Sequence, residues 1–390
     1  MKIIFLSISV LVTSVLSAGV FSFEPEGQHP VAKDGARIYI GGNMNGLGDY
    51  FSIYLPAWID MTAEQRRVKL LKSFSVAHSM DNAKFLPTTL KEVKPDIVAM
   101  VLGVDALYYG IGDEPRARFW KSMSDMAEAC QKAGVSFVIL SLPAKSGSKA
   151  EDESNRKISV YAGDMSRFAK ERGLCFFDFH RATLEFTSDT FGGNINQLRT
   201  AKAMADLFGL RLAYPHLAVD FAAGTAAIDA PNSVVVKGSG QYEVMSPRPP
   251  LGFVYCGAEA AEWTGFQIKA ANLPDGVEKV KIGWTGRSET VSRAALEQGV
   301  NLMALSPGWT PYRNATLAAM KAVGRPAWNQ LVLTDRLPTF ERKLAAMEPG
   351  RDRTAFLDEL RAEIYAGVDR DFDAANDVKP VTFVLTLTLL

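Results

Sequence analysis

The sequence predicts an α/β protein in which a doubly wound, mostly parallel sheet carries helices on both faces, in three layers. From residue 36 to about 210, short apolar runs alternate with amphipathic segments, an order typical of such sheets. The apolar runs are nearly continuous rather than alternating, as expected of strands that helices cover on both sides. The long amphipathic segments end in glycine, which is a usual helix stop. These three observations together predict the fold class.

The predicted strands are short and bounded by turn residues or charges. They are "RIYIGG" from Arg37, "LLKSFSV" from Leu70, "DIVAMVLGV" from Asp96, "SFVILSLP" from Ser136 and "CFFDF" from Cys175. The predicted long helices are "PRARFWKSMSDMAEACQKAG" and "NRKISVYAGDMSRFAKERG". Both helices carry apolar residues at three- and four-residue spacing, which is the period of an amphipathic helix. We assign residues 33–215 to this α/β domain.

The pattern changes after about residue 220. Short strands such as "SVVVKG", "QYEVMS", "GFVYC", "TGFQIKAANLP" and "KVKIGWTG" follow one another with Gly, Pro and Asn turns between them. Strands without long helices between them predict a small antiparallel β unit, assigned to 220–310. Residues 311–390 are predicted to be C-terminal helices, including "TAFLDELRAEIYAG", followed by a final strand, "VTFVLTLTLL". We expect that strand to dock, so that it offers no exposed edge.

The N-terminus predicts export. Lys2 is followed by "IIFLSISVLVTSVLSAGVF", an apolar run that small residues interrupt near its end, as in a secretory signal peptide. We assign the signal peptide to residues 1–22 and expect a periplasmic or extracellular protein. The alternative is a retained membrane anchor, because the run is nearly long enough to span a bilayer.

Composition narrows the partners. The 43 basic and 43 acidic residues balance, which argues against a nucleic-acid partner, because phosphate binding needs clustered Lys and Arg. The three cysteines are widely spaced and are interpreted as small buried hydrophobes, with a single disulfide as the alternative. The histidines show no paired spacing that suggests a metal site, and we predict neither a metal nor a cofactor. They are His29, His78, His180 and His216.

Four segments resemble the sequence blocks of one superfamily. "IYIGGN" resembles a strand that leads into Gly-Asp-Ser, and "KPDIVAMVLGVDAL" resembles a strand followed by Gly-x-Asn-Asp. "NRKISVYAGDMSRFAKERGLCFFDF" and "FGGNINQLRTAKAMADLF" resemble the helix and strand before the last block and the last block itself, Asp-x-x-His. In this order they resemble the SGNH (GDSL-type) hydrolase superfamily, and in particular its exported members with an added β unit. The resemblance implies an SGNH, flavodoxin-like three-layer fold and an ester hydrolase ancestry.

The defining residues of those blocks are changed in this chain. The resemblance places the nucleophilic serine at Asn43 and the aspartate before it at Gly42. The oxyanion asparagine falls on Asp105, the catalytic histidine on Asn194, and the aspartate three residues before it on Phe191. An amide is neither a nucleophile nor a base near neutral pH, and losing the nucleophile or base of such a unit costs on the order of 10⁶-fold in rate. We therefore expect the inherited esterase mechanism to be absent or vestigial.

Other residues near the predicted strand ends are candidates for lost or new functions. Ser141 is weighed as a relocated nucleophile, but a strand-end hydrogen-bonding role is favoured. His78 and Ser79 are expected in a solvated loop, and His180 at a helix start or in the core. Asp105, Asp113 and Glu114 resemble an acid/base group, although Asp113 and Glu114 are favoured as helix N-terminal charges.

Polar and aromatic residues near the same strand ends predict a ligand site. Gly42, Gly103, Tyr108 and Asn196 are the candidate substrate-binding residues, with the tyrosines Tyr108 and Tyr109 able to stack on a sugar ring. Amide and carboxylate groups suit hydroxyl recognition. We predict a small-molecule or glycan ligand, and a protein that binds a carbohydrate or acylated glycan without cleaving it. The alternatives are an active polysaccharide acetyl esterase with relocated groups and an envelope structural or interaction protein.

Overall fold

A computed structural model describes most of the α/β part of the chain and much of the β part. The described residues are 26–43, 68–72, 78–144, 151–184, 194–210, 216–228, 234–237, 241–246, 266–284, 287–305 and 381–390, with isolated residues between 347 and 370. The predicted signal peptide, the predicted strand "GFVYC" and most of the predicted C-terminal helical segment lie outside these ranges. Among the helices that are described, none is long and apolar enough to cross a membrane.

Five parallel strands form the main sheet, as predicted. They are β1 (Arg37–Gly42), β2 (Lys69–Lys72), β3 (Ile97–Leu102), β4 (Ser136–Ser141) and β5 (Cys175–Phe177). Their order across the sheet is β2-β1-β3-β4-β5, with every neighbouring pair parallel. The strand order reverses direction between β1 and β3, because β2 lies on one side of β1 and β3 on the other. The carboxyl ends of all five strands consequently meet at one edge.

In the described residues, six helices lie between or after these strands. They are α1 (Ser79–Val93), α2 (Asp105–Tyr109), α3 (Asp113–Ala133), α4 (Glu153–Arg172), α5 (Phe179–Leu184) and α6 (Asn194–Leu207). The predicted glycine stops are confirmed for the two longest helices: α3 ends at Gly134 and α4 at Gly173, both with left-handed backbone. Each glycine N–H donates back to carbonyls of the last turn, which closes the helix end.

Apolar side chains cover both faces of the sheet. Alternate residues of a strand point to opposite faces, so Ile38 and Ile40 of β1 lie in one core, and Tyr39 in the other. The first core includes α6, and the second includes α1, α3 and α4. The prediction of helices on both faces is therefore confirmed.

The remainder of the described chain forms two smaller sheets rather than one. A four-stranded sheet and a five-stranded sheet share a single apolar core that includes Trp284. In chain order their strands are β6 (His216–Asp220), β7 (Thr225–Ile228), β8 (Val234–Lys237), β9 (Gln241–Ser246), β10 (Gln267–Ala271), β11 (Lys279–Trp284), β12 (Arg287–Ser292), β13 (Val300–Asn301) and β14 (Val381–Leu389). Two short helices, α7 (Arg293–Gln298) and α8 (Leu302–Leu305), lie beside them.

Strand pairing in this part departs from the prediction at one place and agrees at another. The orders are β13-β10-β6-β7 and β12-β11-β14-β9-β8. β6 and β10 pair in parallel, so the unit is mixed rather than purely antiparallel; the long connection between them allows the crossover that parallel pairing requires. β14 pairs with β11 on one side and β9 on the other, so the final strand docks as expected. The boundaries 33–215, 220–310 and 311–390 remain a prediction.

Candidate functional site

The candidate site lies where the parallel strands end. Asn43 follows β1, Gly103 and Asp105 follow β3, Ser141 ends β4, and Asp178 follows β5. We call the surface that these five residues define the carboxyl edge. In open α/β sheets, ligands bind outside the carboxyl ends of the strands, next to the point where the strand order reverses. Because β1 and β3 flank that point, Asn43, Gly103 and Asp105 occupy the expected position.

The turn after β1 leaves no room for the residue that the resemblance places there. Gly42 has a φ of +87°, and a Cβ on it would overlap the carbonyl oxygen of Val101 on β3. The backbone N–H of Asn43 donates to that same carbonyl, with an N–O distance of 2.9 Å. Asn43 itself is only 8% exposed. The backbone N–H of Asn43 is therefore used within the sheet.

Asp105 caps a helix from outside that helix. Its two carboxylate oxygens each accept the backbone N–H of Ser79 at 3.2 Å, and Oδ1 also accepts the Ser79 hydroxyl at 2.9 Å. Ser79 is the first residue of α1, and the preceding residue His78 makes no side-chain cap. The negative charge thus lies at the positive end of α1, which stabilises it. The expectation of a solvated loop is wrong for Ser79, which begins α1 and is 1% exposed, whereas His78 precedes the helix and is partly exposed.

Three rings form an aromatic cluster beside Asp105, consisting of His78, Tyr108 and Tyr109. The His78 ring meets the Tyr108 ring edge-on at 5.0 Å and the Tyr109 ring at 4.9 Å. The Arg118 guanidinium covers Tyr109 at 5.5 Å from the ring centre. Tyr108 is nevertheless 65% exposed, and Tyr109 41%. The two tyrosines are therefore held in position while much of their surface faces solvent.

The segment that carries these tyrosines is fastened to α4. The Tyr161 hydroxyl donates to the Gly110 carbonyl at 3.0 Å, just after the tyrosines. Burial, and then the nearby carboxylates Asp105 and Asp164, raise the pKa of Tyr161 to about 12, so it stays a neutral donor. Asp164 also accepts two bonds of 2.7 Å from Arg116 of α3. The sequence offered no signal for these links, because their partners are distant along the chain.

The acidic residues after this segment behave as expected. Asp113 and Glu114 lie in the first turn of α3, and both are favourable at the positive end of a helix. Glu114 is also 3.9 Å from Arg118, one turn further along the helix. The prediction that they lie at a helix N-terminus is confirmed.

A second polar network occupies the opposite end of the carboxyl edge. Ser141 is fully buried, and its hydroxyl donates to Asp178 Oδ1 at 2.9 Å and accepts the backbone N–H of His180 at 2.9 Å. Ser141 therefore has the expected strand-end role. His180 lies in α5 and is buried, as expected; burial lowers its pKa below the ordinary value, although Asp178 opposes that shift.

The remaining predicted site residues are only partly described. Gly103 has a φ of +105°, which favours glycine, and a Cβ there would lie 3.2 Å from Met165 Cε. Asn194 is the first residue of α6, so a helix begins where the resemblance places the catalytic histidine. The side chains of Asn194 and Asn196, and all of Phe191, lie outside the described residues.

The described residues offer no set of metal ligands. Nowhere in these parts of the chain do three or more His, Cys, Asp or Glu side chains group closely enough to hold a metal ion. Cys130 and Cys175 are free buried thiols, and burial raises the pKa of each to about 12. They pack as the small hydrophobes predicted, whereas Cys256 lies outside the described residues.

The fold defines an α/β protein with a parallel sheet of flavodoxin-like strand order and appended β-sheets. It is similar to the solved structure of a gut microbial diltiazem-metabolizing enzyme, with 14% identity, a TM-score of 0.57 and coverage of 93% of this chain and 99% of that chain. An acetylxylan esterase from Geobacillus stearothermophilus matches with 13% identity over 46% of this chain and 97% of its own, at a TM-score of 0.39. An acetyl xylan esterase, AlAXEase, matches with 15% identity over 44% and 98%, at 0.38.

Comparison by sequence adds no relative: no protein-family model matches the chain, and neither does any curated protein. The likeness to the gut microbial enzyme shows the fold along nearly the whole of both chains. What the site does must therefore be argued from its own residues.

Proposed function

We propose that this is an exported SGNH hydrolase-like protein that binds a carbohydrate or acylated glycan at the carboxyl edge and does not cleave it. One observation carries the proposal: the Asn43 backbone N–H donates to the Val101 carbonyl. An esterase of this kind needs a hydroxyl at that position and backbone N–H groups aimed at the developing oxyanion. Here the hydroxyl is replaced by an amide, and the N–H is already bonded within the sheet.

Asp105 removes the second source of oxyanion stabilisation. A side-chain amide at this position would donate to the oxyanion, whereas a carboxylate would repel it. Asp105 is also occupied by Ser79 through both of its oxygens. Removing one oxyanion donor costs about 10²–10³ in kcat, and losing the nucleophile costs more. Together these changes support a protein without the inherited turnover.

A relocated mechanism finds little support in the second polar network. A nucleophile must reach the substrate carbonyl, but Ser141 is fully buried and bonded to Asp178 and the His180 backbone. The His180 ring is buried as well. Among the described residues beside Asp105, the exposed side chains include the rings of Tyr108 and Tyr109, which suit binding.

The first experiment compares ester hydrolysis with glycan binding. Mature protein, Asn43→Ala and Ser141→Ala are assayed against p-nitrophenyl acetate and an O-acetylated xylo-oligosaccharide, and binding of the oligosaccharide is measured by calorimetry. The proposal expects binding without turnover above buffer in all three proteins. Turnover abolished by Asn43→Ala would mean that Asn43 takes part in catalysis, and turnover abolished only by Ser141→Ala would mean a relocated nucleophile. Either result would replace the proposal with an esterase.

Export rests on the N-terminal sequence and is tested separately. The full-length chain is expressed in a Gram-negative host, and the mature N-terminus is sequenced from the periplasmic fraction. We expect a new N-terminus close to residue 23. An uncleaved chain in the membrane fraction would instead indicate the retained anchor.

A further inference from the structure

We propose that the aromatic cluster of His78, Tyr108 and Tyr109 is a stacking subsite for a pyranose ring. This inference rests on the proposed function, because it names the residues that would contact the glycan. Tyr108 supplies the exposed ring of the cluster. It is 65% exposed, although its ring lies edge-on to the His78 ring with 5.0 Å between the ring centres. Leu107 and Ile111, at the two ends of the same segment, are also exposed. Contiguous exposed apolar side chains of this kind mark binding surfaces.

The backbone that carries the cluster is held in place before any ligand arrives. The His78 carbonyl accepts both the backbone N–H of Asn82 at 3.0 Å and its side-chain amide at 3.1 Å. The next residue, Ser79, is tied to Asp105. At the other end of the segment, Tyr161 holds the Gly110 carbonyl. A surface that is ordered in advance loses little conformational entropy on binding, which favours affinity.

The His78 ring provides a polar group beside the exposed tyrosine. Its Nδ1 atom is buried and has no hydrogen-bond partner. An unpaired buried polar atom costs about 1–3 kcal/mol, so a donor that reaches it on local rearrangement is favoured. A pyranose offers an apolar C–H face for the tyrosine and hydroxyl donors for the imidazole nitrogen. A purely aromatic ligand would satisfy the ring but not the nitrogen.

The charges around the cluster favour a neutral ligand. Asp105 is 4% exposed and bonded to Ser79, and Arg118 lies over Tyr109 and within 3.9 Å of Glu114. Each of these charged groups therefore already has a partner within the described part of the chain. The inferred ligand is therefore an uncharged sugar ring, whose O-acetyl groups would not change its charge.

The test measures the affinity of unmodified and O-acetylated xylohexaose and cellohexaose by calorimetry. Tyr108→Ala is expected to weaken binding about tenfold, the loss of one aromatic stacking contact. Tyr108→Phe, which keeps the ring, should restore affinity to within a few-fold. His78→Phe keeps a ring against both tyrosines and removes the nitrogen, so it should also weaken binding. Phe85→Ala is the matched control, because Phe85 is an equally exposed ring (58%) on α1 outside the cluster.

The outcomes separate the subsite from the proposed function. If Tyr108→Ala and His78→Phe both bind the oligosaccharides with the affinity of the wild type, the subsite is refuted and glycan binding remains. If the wild-type protein binds neither oligosaccharide, whether unmodified or O-acetylated, both the glycan proposal and the subsite are refuted. Equal losses in Tyr108→Ala and Phe85→Ala would mean a nonspecific effect and would also overturn the subsite. Thermal unfolding of each variant checks that the loss is not one of folding.

Discussion

Replacing Asp105 with alanine should destabilise the protein strongly, although its position suggests a catalytic group. Asp105 is 4% exposed and accepts the Ser79 N–H and the Ser79 hydroxyl. A hydrogen bond to a charged group contributes about 1.5–3 kcal/mol, and removing a helix cap costs about 1 kcal/mol. Because the variant leaves the Ser79 N–H and hydroxyl buried without an acceptor, we expect the free energy of unfolding to fall by about 3–4 kcal/mol.

Urea unfolding followed by circular dichroism measures this change. Asp105→Asn, which keeps one acceptor oxygen, should cost about half as much, and Ser79→Ala, which removes only the hydroxyl, about 1 kcal/mol. The double variant of Asp105→Ala and Ser79→Ala should lose less stability than the sum of the two single variants, because the two residues share one interaction. A midpoint for Asp105→Ala equal to that of the wild type would refute the capping role.

Three further changes test the surrounding structure. Gly42→Ala should lower the free energy of unfolding by more than the ~1–2 kcal/mol that a left-handed residue costs, because its Cβ would also meet Val101. Gly35 has a φ of +73° and open space around its Cβ, so Gly35→Ala should cost only ~1–2 kcal/mol. Equal melting temperatures for the two variants would contradict the close approach at Gly42. Arg116→Ala should lower the free energy of unfolding, measured in urea, by about 2 kcal/mol, because it breaks two hydrogen bonds to the buried Asp164. A change within error would mean that Arg167, the other donor to Asp164, is sufficient to satisfy that carboxylate. Burial lowers the pKa of His180, so the unfolded chain binds a proton at this residue more readily than the folded chain does. The free energy of unfolding should therefore fall as pH drops from about 6.5, and a His180→Gln variant should lose that part of the pH dependence. An unchanged slope of stability against pH in the variant would exclude His180 as its source.

Local sequence patterns predicted the main sheet because its strands are buried on both faces. "DIVAMVLGV" and "SFVILSLP" are continuous apolar runs, and they became β3 and β4 at the centre of the sheet. The helix stops at Gly134 and Gly173 were also predicted from local sequence, because a left-handed residue at a helix end favours glycine. The final strand was visible as an alternation of threonine with apolar residues.

Long-range pairing could not be predicted in this way. The sequence indicated one antiparallel unit after residue 220, but β6 and β10 pair in parallel across a long connection. The role of Ser79 was misjudged as well. Nothing in its neighbourhood along the chain shows that Asp105, 26 residues later, accepts the Ser79 hydroxyl.

The sequence by itself determined the chemistry available at position 43, since a side-chain amide cannot act as a nucleophile in any backbone geometry. Only the tertiary structure decided how the neighbouring groups are used. It brings Val101 of β3 against Gly42 at the end of β1 and against Asn43, and it places the Asp105 carboxylate at the start of α1. The reason is physical: side-chain chemistry belongs to each residue, whereas the hydrogen-bond partner of a buried group depends on which distant strand or helix folds against it.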